Sequence, residues 1–215
     1  MRKILLVSAL IFVFCFSLGC SKTKKAAPTP LPEVSIAVAW VNQPRTMDDL
    51  LAGVMVSEQP FVGDKVLLSL DKAMHQVLAE SSDRQFINIA ESYSCQVKVS
   101  KVERENRTAL DYWIQVGACL DADMILVPQI TEWYELEGSG MGAERPASVT
   151  MDFYLIDVKR QQLAGRYHYE ETQQHLTDNL LNIGKFVNRG GQWVTALDLA
   201  KEGMRQAVVE LGLGL

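Results

Sequence analysis

The chain has 215 residues, of which 22% are charged and 48% hydrophobic, with a formal net charge of −5. An acidic balance excludes nucleic acid as a partner, because binding it needs a basic surface that displaces counterions. The length suits one globular domain with a core of its own, and no run after the first twenty residues is long and apolar enough to span a bilayer as a helix.

The chain opens with Arg2 and Lys3, then an apolar run over residues 4–16 interrupted only by Ser8, then Ser17-Leu18-Gly19-Cys20. A positive start, a short apolar core and small residues after it make residues 1–19 a signal peptide. The four residues ending at Cys20 resemble the lipobox of bacterial lipoproteins, departing from it at Ser17, where leucine is usual. The resemblance implies diacylation of the Cys20 sulfur, cleavage before it and acylation of the new amino terminus. Three acyl chains exceed the two-signal threshold for stable anchoring. Ser21 after the cysteine implies, by the family's sorting habit, the outer membrane with the domain facing the periplasm. Loss of Arg2 and Lys3 with the leader takes the 21 basic residues to 19, against 26 acidic ones.

Residues 20–33 are rich in Lys, Ala, Pro and Thr and read as a lipidated flexible tether, with a reach of about 40 Å at most. Residues 34–215 then form one periplasmic α/β domain. Its first strand is the β-rich run 35–41, followed by a long irregular connection over 42–63 broken by Pro44, Gly53, Pro60 and Gly63. From Asp64 a helix follows, with Val66, Leu67, Leu70, Met74, Val77 and Leu78 recurring on one face. A short strand is expected over 85–90. Residues 91–106 are weakly patterned, and Val97, Val99 and Val102 suggest an extended piece. A second helix starts near Thr108, with Leu110, Trp113, Val116 and Leu120 on its apolar face.

The central stretch, read as a strand, is 122–134. Its unbroken apolar run, Met124 to Val127, suits burial on both faces, and Pro128 predicts a bulge or an unpaired edge because it lacks a ladder donor. Residues 135–147 read as a mobile loop, whose glycines lead into no helix and so cradle no phosphate. Alternation over 149–155, a polar turn at 159–162 and another strand over 163–172 predict a hairpin. An excursion over 173–193 should hold a short helix from Thr177 to Phe186. Thr195 and Asp198 resemble a capping box that opens the last helix at Ala196. The fold class is therefore α/β (α+β): a single mixed sheet, order β-α-β-α-β-β-β-α, with helices packed on it.

Two cysteines of the mature domain, Cys95 and Cys119, leave two readings open. An oxidising compartment favours a disulfide between them; Cys119 in its apolar run also suits a buried small hydrophobe. Two cysteines alone supply too few ligands for zinc, and no cofactor or metal is expected.

The phrase Ala118-Cys119-Leu120-Asp121-Ala122-Asp123 leading into the central strand, with Leu155-Ile156-Asp157-Val158 before a hairpin turn, resembles a class of periplasmic domains. The class includes the TolB amino-terminal domain, the curli-secretion lipoprotein CsgG and the penicillin-binding-protein activator LpoB. The stretch from Glu171 through Met204 is also similar to lipoproteins of Gram-negative bacteria with no assigned activity. The resemblance implies a fold, and fold alone carries no function. A curli-type channel would need long alternating membrane hairpins, which the interrupted segments 42–63 and 135–147 do not supply.

Composition and resemblance together point to a non-enzymatic envelope accessory protein that binds another envelope protein. The candidate surface comprises Trp133, Tyr134, Met141 and Arg145 with Phe186, Arg189 and Trp193, since aromatic and Arg side chains carry most interface energy; for Trp133 and Trp193 core packing is the stronger expectation. A self-assembling scaffold or secretion-complex subunit is the alternative, and homo-oligomerisation through an unpaired edge strand is its route. An envelope hydrolase would draw on His168, Asp152, Glu170 and Glu171, but nothing resembles a nucleophile elbow or a zinc-protease helix. A solvated strand face accounts for those residues better, so catalysis is not expected.

Overall fold

The computed structural model describes residues 28–53, 61–101, 107–139, 142–173 and 192–214. Its centre is a five-stranded mixed sheet in the order β2-β1-β3-β6-β7. The strands are β1 (Ile36–Val38), β2 (Phe86–Ile87), β3 (Met124–Tyr134), β6 (Ser148–Asp157) and β7 (Gln162–Thr172). β1 runs parallel to both β2 and β3, whereas β3, β6 and β7 form an antiparallel meander. The helices α1 (Asp64–Ser81) and α4 (Ala196–Glu210) pack on one face, and α2 (Ile89–Ser100) and α3 (Ala109–Cys119) on the other. This is the expected fold class.

Two cores follow from that layering. The larger joins Leu70, Met74 and Val77 of α1 and Leu199, Ala200 and Met204 of α4 to Leu126, Ile130, Met151 and Phe153 of the sheet. The smaller joins Trp113 and Val116 of α3 to Ile125, Val127, Tyr154 and Ile156. Ile125, Leu126 and Val127 alternate between these two cores, which is why the run of apolar residues at the start of β3 is uninterrupted. Three helix starts carry side-chain caps: reciprocal Thr–Asp boxes close α3 (Thr108, Asp111) and α4 (Thr195, Asp198), and Asn88 caps α2, whereas α1 starts after Gly63 without one.

Pro128 stays inside the ladder, paired with Phe153 on one side. On its other side β1 is irregular: Val38 faces Leu126 and Asn42 bridges Gln129, so one extra residue is accommodated there. The carbonyl of Pro128 accepts the Asn42 amide at 3.1 Å, so the absent proline N–H falls where the β1 register is broken. The bulge of β3 itself lies between Ile130 and Glu132.

Three stretches differ from the sequence expectation. Residues 91–100 are helical rather than extended, because Ser92, Cys95 and Val99 fall on one helix face and Asn88 supplies the cap; the valine alternation is incidental. The second strand shrinks to Phe86 and Ile87 because that helix begins at Ile89. Residues 135–147 form a small hairpin of β4 (Glu137–Ser139) and β5 (Gly142–Arg145), which Gly138 permits by taking a φ of 119°. The helix expected over 177–186 lies outside the described residues.

Candidate functional site

The two ends of the sheet have different characters. At one end the amino-terminal segment joins the body: the Leu31 amide donates to the Gly212 carbonyl at 3.1 Å, and Arg84 donates to the carbonyls of Pro32, at 2.8 Å, and of Leu31. Met124 opens β3 and Asp157 closes β6 at this same end. Here Ser35, Asp123 and Lys159 form an exposed cluster in which the Lys159 ammonium and the Ser35 donors hold the Asp123 carboxyl at about 2. The opposite end is built by Tyr134, Ser148 and Thr172, the β4–β5 hairpin and the start of α4. Eleven strand residues at about 3.3 Å each separate the two ends by roughly 35 Å.

At that far end β3 carries Trp133 inward and Tyr134 to the surface. Trp133 is 8% exposed, part of the larger core, and its indole N–H donates to Glu135 Oε1 at 3.0 Å. Tyr134 is half-buried. The exposed Arg145 guanidinium lies over the Tyr134 ring, 5.6 Å from its centroid, and pairs with Glu137 across the hairpin. Trp193 is half-buried just before α4. Ser148 Oγ bonds Glu132 and shares a hydrogen bond with Thr172 Oγ1 at 2.7 Å, which ties three strands together beneath the hairpin. The structure thus brings Tyr134 and Arg145 into contact and assigns Trp133 to packing; Met141, Phe186 and Arg189 lie outside the described residues, as does Cys20.

Cys95 and Cys119 are joined, with Cα atoms 5.9 Å apart, and the bond staples α2 to the end of α3. Cys119 itself is exposed.

Of the residues considered for catalysis, Asp152, His168 and Glu170 lie on the face that also carries α2 and α3, whereas Glu171 pairs with Val149 of the larger core and lies on the other face. Asp152 pairs with His168 in register and Tyr154 with Arg166. Asp152 is 4% exposed, and its Oδ1 accepts from Arg166 Nε at 2.9 Å and contacts His168 Nδ1 at 3.0 Å. The guanidinium grips the carboxylate through Oδ1 with both Nε and Nη2, a charge-assisted pair. Tyr154 donates its hydroxyl to the Ala52 carbonyl at 2.9 Å, and burial pushes its pKa to about 12. These groups clamp β6 to β7 and to the 42–53 segment. Among the described residues no three His, Cys, Asp or Glu side chains come together as metal ligands.

Two buried polar residues escaped the sequence reading. Gln129, 1% exposed, donates to Asn42 Oδ1 at 3.1 Å and to the Asp49 carbonyl at 2.9 Å. Asp71, 5% exposed, accepts the Val41 amide at 2.7 Å through Oδ1, whereas its Oδ2 is enclosed without a partner among the described residues. Desolvation raises the Asp71 pKa to about 6 despite that hydrogen bond. Its position was a legible signal: three residues before Met74 and seven before Leu78, it stands within the apolar stripe of α1.

No family profile and no curated protein matches the sequence. Solved structures with a similar arrangement include the PelC dodecamer from Paraburkholderia phytofirmans, at 13% identity over 89% of this chain and 96% of that one, with a TM-score of 0.45. The LpoB C-terminal domain from Escherichia coli aligns at 8% identity over 75% and 93% of the two chains, with a TM-score of 0.39. The lipoprotein GNA1162 from Neisseria meningitidis aligns at 11% identity over 73% and 93%, with a TM-score of 0.37.

Proposed function

We propose that this chain is a lipid-anchored accessory protein of the bacterial envelope, held by acylated Cys20 in the outer membrane, that docks a second envelope protein and catalyses no reaction. The observation that carries this reading is the placement of the Tyr134–Arg145–Glu137 cluster at the end of the sheet opposite the amino-terminal attachment. A domain tethered at one end offers the other end to whatever lies further from the bilayer. Leu31 and Pro32 are bonded to the body, so the spacer from Cys20 ends at Leu31, with an extreme reach of about 36 Å. Such a reach keeps the domain near the membrane and suits a partner there rather than one across the cell wall. An exposed guanidinium resting on a tyrosine ring is an interface anchor of low ordering cost, because the arginine is already positioned.

A second reading is a self-assembling scaffold. It is favoured by β7, an eleven-residue strand that pairs with β6 on one side and with no strand on the other among the described residues. The mass and composition of the native particle, extracted in mild detergent, separate the two. One copy with one stoichiometric partner, lost on Arg145→Ala with Tm unchanged, supports docking. A large homomeric particle refutes it in favour of the scaffold.

A further inference from the structure

A cleft of about 630 Å³ opens on the α2–α3 side, between the segment 42–49 and the first turn of α3. Its volume is in the range of small-molecule sites. One wall is fixed from beneath by buried groups: Asp71 holds the Val41 amide, and Gln129 holds Asn42 and the Asp49 carbonyl. The other wall is set by the Thr108–Asp111 capping box and by the Tyr112 hydroxyl, which donates to the Gln96 carbonyl at 3.2 Å. Each wall carries an arginine planted on a ring. Arg45 lies 4.2 Å above the Phe61 centroid, and Arg107 lies 5.0 Å from that of Tyr112 while donating to the Val99 carbonyl and Gln115. Gln96 also lines the cleft, and its side-chain nitrogen is enclosed and donates to no acceptor among the described residues. A buried amide donor without an acceptor is costly, and turning the Gln96 side chain toward the cleft would let a ligand oxygen satisfy it.

From these positions we infer that the cleft binds the terminal carboxylate of a peptide. The unspent donors are two guanidinium edges and one amide, a set that matches a carboxylate and the peptide carbonyl beside it. Exposed Asp48 at the rim disfavours a dianion such as phosphate and suits a ligand that also presents N–H groups. A sugar fits less well, because it stacks on an open aromatic face. The Phe61 and Tyr112 rings already carry guanidinia, and Trp113 is 5% exposed.

The test is a titration of the full acylated chain in detergent micelles with N-acetyl-alanyl-alanine, its C-terminal amide and inorganic phosphate. The readout is the side-chain N–H resonances of Arg45, Arg107 and Gln96 by ¹H–¹⁵N NMR. The free acid should shift all three, and the amide should bind about tenfold more weakly, the worth of one charge-assisted hydrogen bond. Arg45→Gln, which removes an exposed side chain and leaves the fold intact, should weaken the acid about tenfold as well. Three results overturn the assignment: no shift at 10 millimolar peptide, equal binding of acid and amide, or phosphate binding as tightly at the same resonances. The outcome is independent of whether a partner docks at the far hairpin.

Discussion

Asp71→Asn isolates the energetic consequence of a carboxylate buried under the break in β1. The unfolded chain ionises near 3.8 and the folded one at about 6, because desolvation outweighs the Val41 hydrogen bond. The native state therefore binds this proton more tightly than the unfolded state does. Its contribution is fully present below pH 3.8 and is lost as pH rises through 6. With 1.36 kcal/mol per unit, the loss between pH 4 and pH 8 comes to about 2–3 kcal/mol, and the 5% exposure of Asp71 keeps solvent screening small. Asparagine keeps the acceptor for Val41 and cannot ionise. Urea unfolding of both proteins at pH 4 and pH 8 gives the double difference, from which constant costs, such as the unpaired amide N–H, cancel. The wild type should lose about 2–3 kcal/mol more than the variant over that interval, corresponding to roughly 5–10 °C in relative Tm. Parallel pH profiles, or a variant that loses more stability than the wild type as pH rises, would refute the reasoning.

Reduction of the Cys95–Cys119 bond, or the paired Cys→Ser change, should cost about 3 kcal/mol by freeing a loop of 24 residues in the unfolded chain, measured as a lower Tm with dithiothreitol than without. Gly203→Ala would bring a Cβ within 2.6 Å of the Tyr169 ring, which is buried between α4 and β7, so overpacking should lower stability by about 1–3 kcal/mol in a denaturant titration. Gln129→Leu removes the hydrogen bonds to Asn42 Oδ1 and to the Asp49 carbonyl. Hydrogen exchange of the 42–53 backbone should quicken while that of β6 stays protected.

The layout was largely legible because the physics that fixes it is local. The β3 apolar run announced a strand covered on both faces, the α1 stripe announced a helix, and Thr195 with Asp198 announced the last one. Where two periods overlapped, the reading went astray: Val97 and Val99 suggested extension, whereas Ser92, Cys95 and Val99 at helical spacing, together with the Asn88 cap, decide for α2. The β4–β5 hairpin was hidden because its four- and three-residue strands carry no apolar alternation and depend on Gly138. Site chemistry was less visible than fold. Trp133 and Tyr134 adjoin in sequence but face opposite ways, one into the core and one toward Arg145, and strand alternation separates them only once the register is known. The Arg45–Gln96–Arg107 grouping spans three segments far apart in sequence, so no spacing rule could assemble it.

Docking through the far end of the sheet is tested most directly by placing a photo-cross-linking amino acid at position 145, and as a control at exposed Val209 on α4, in living cells. One heterologous envelope protein should be captured from position 145 at near-stoichiometric yield, with capture abolished by Tyr134→Ala and nothing comparable from position 209. Capture of only further copies of this chain, or equal capture from both positions, would contradict docking through that end.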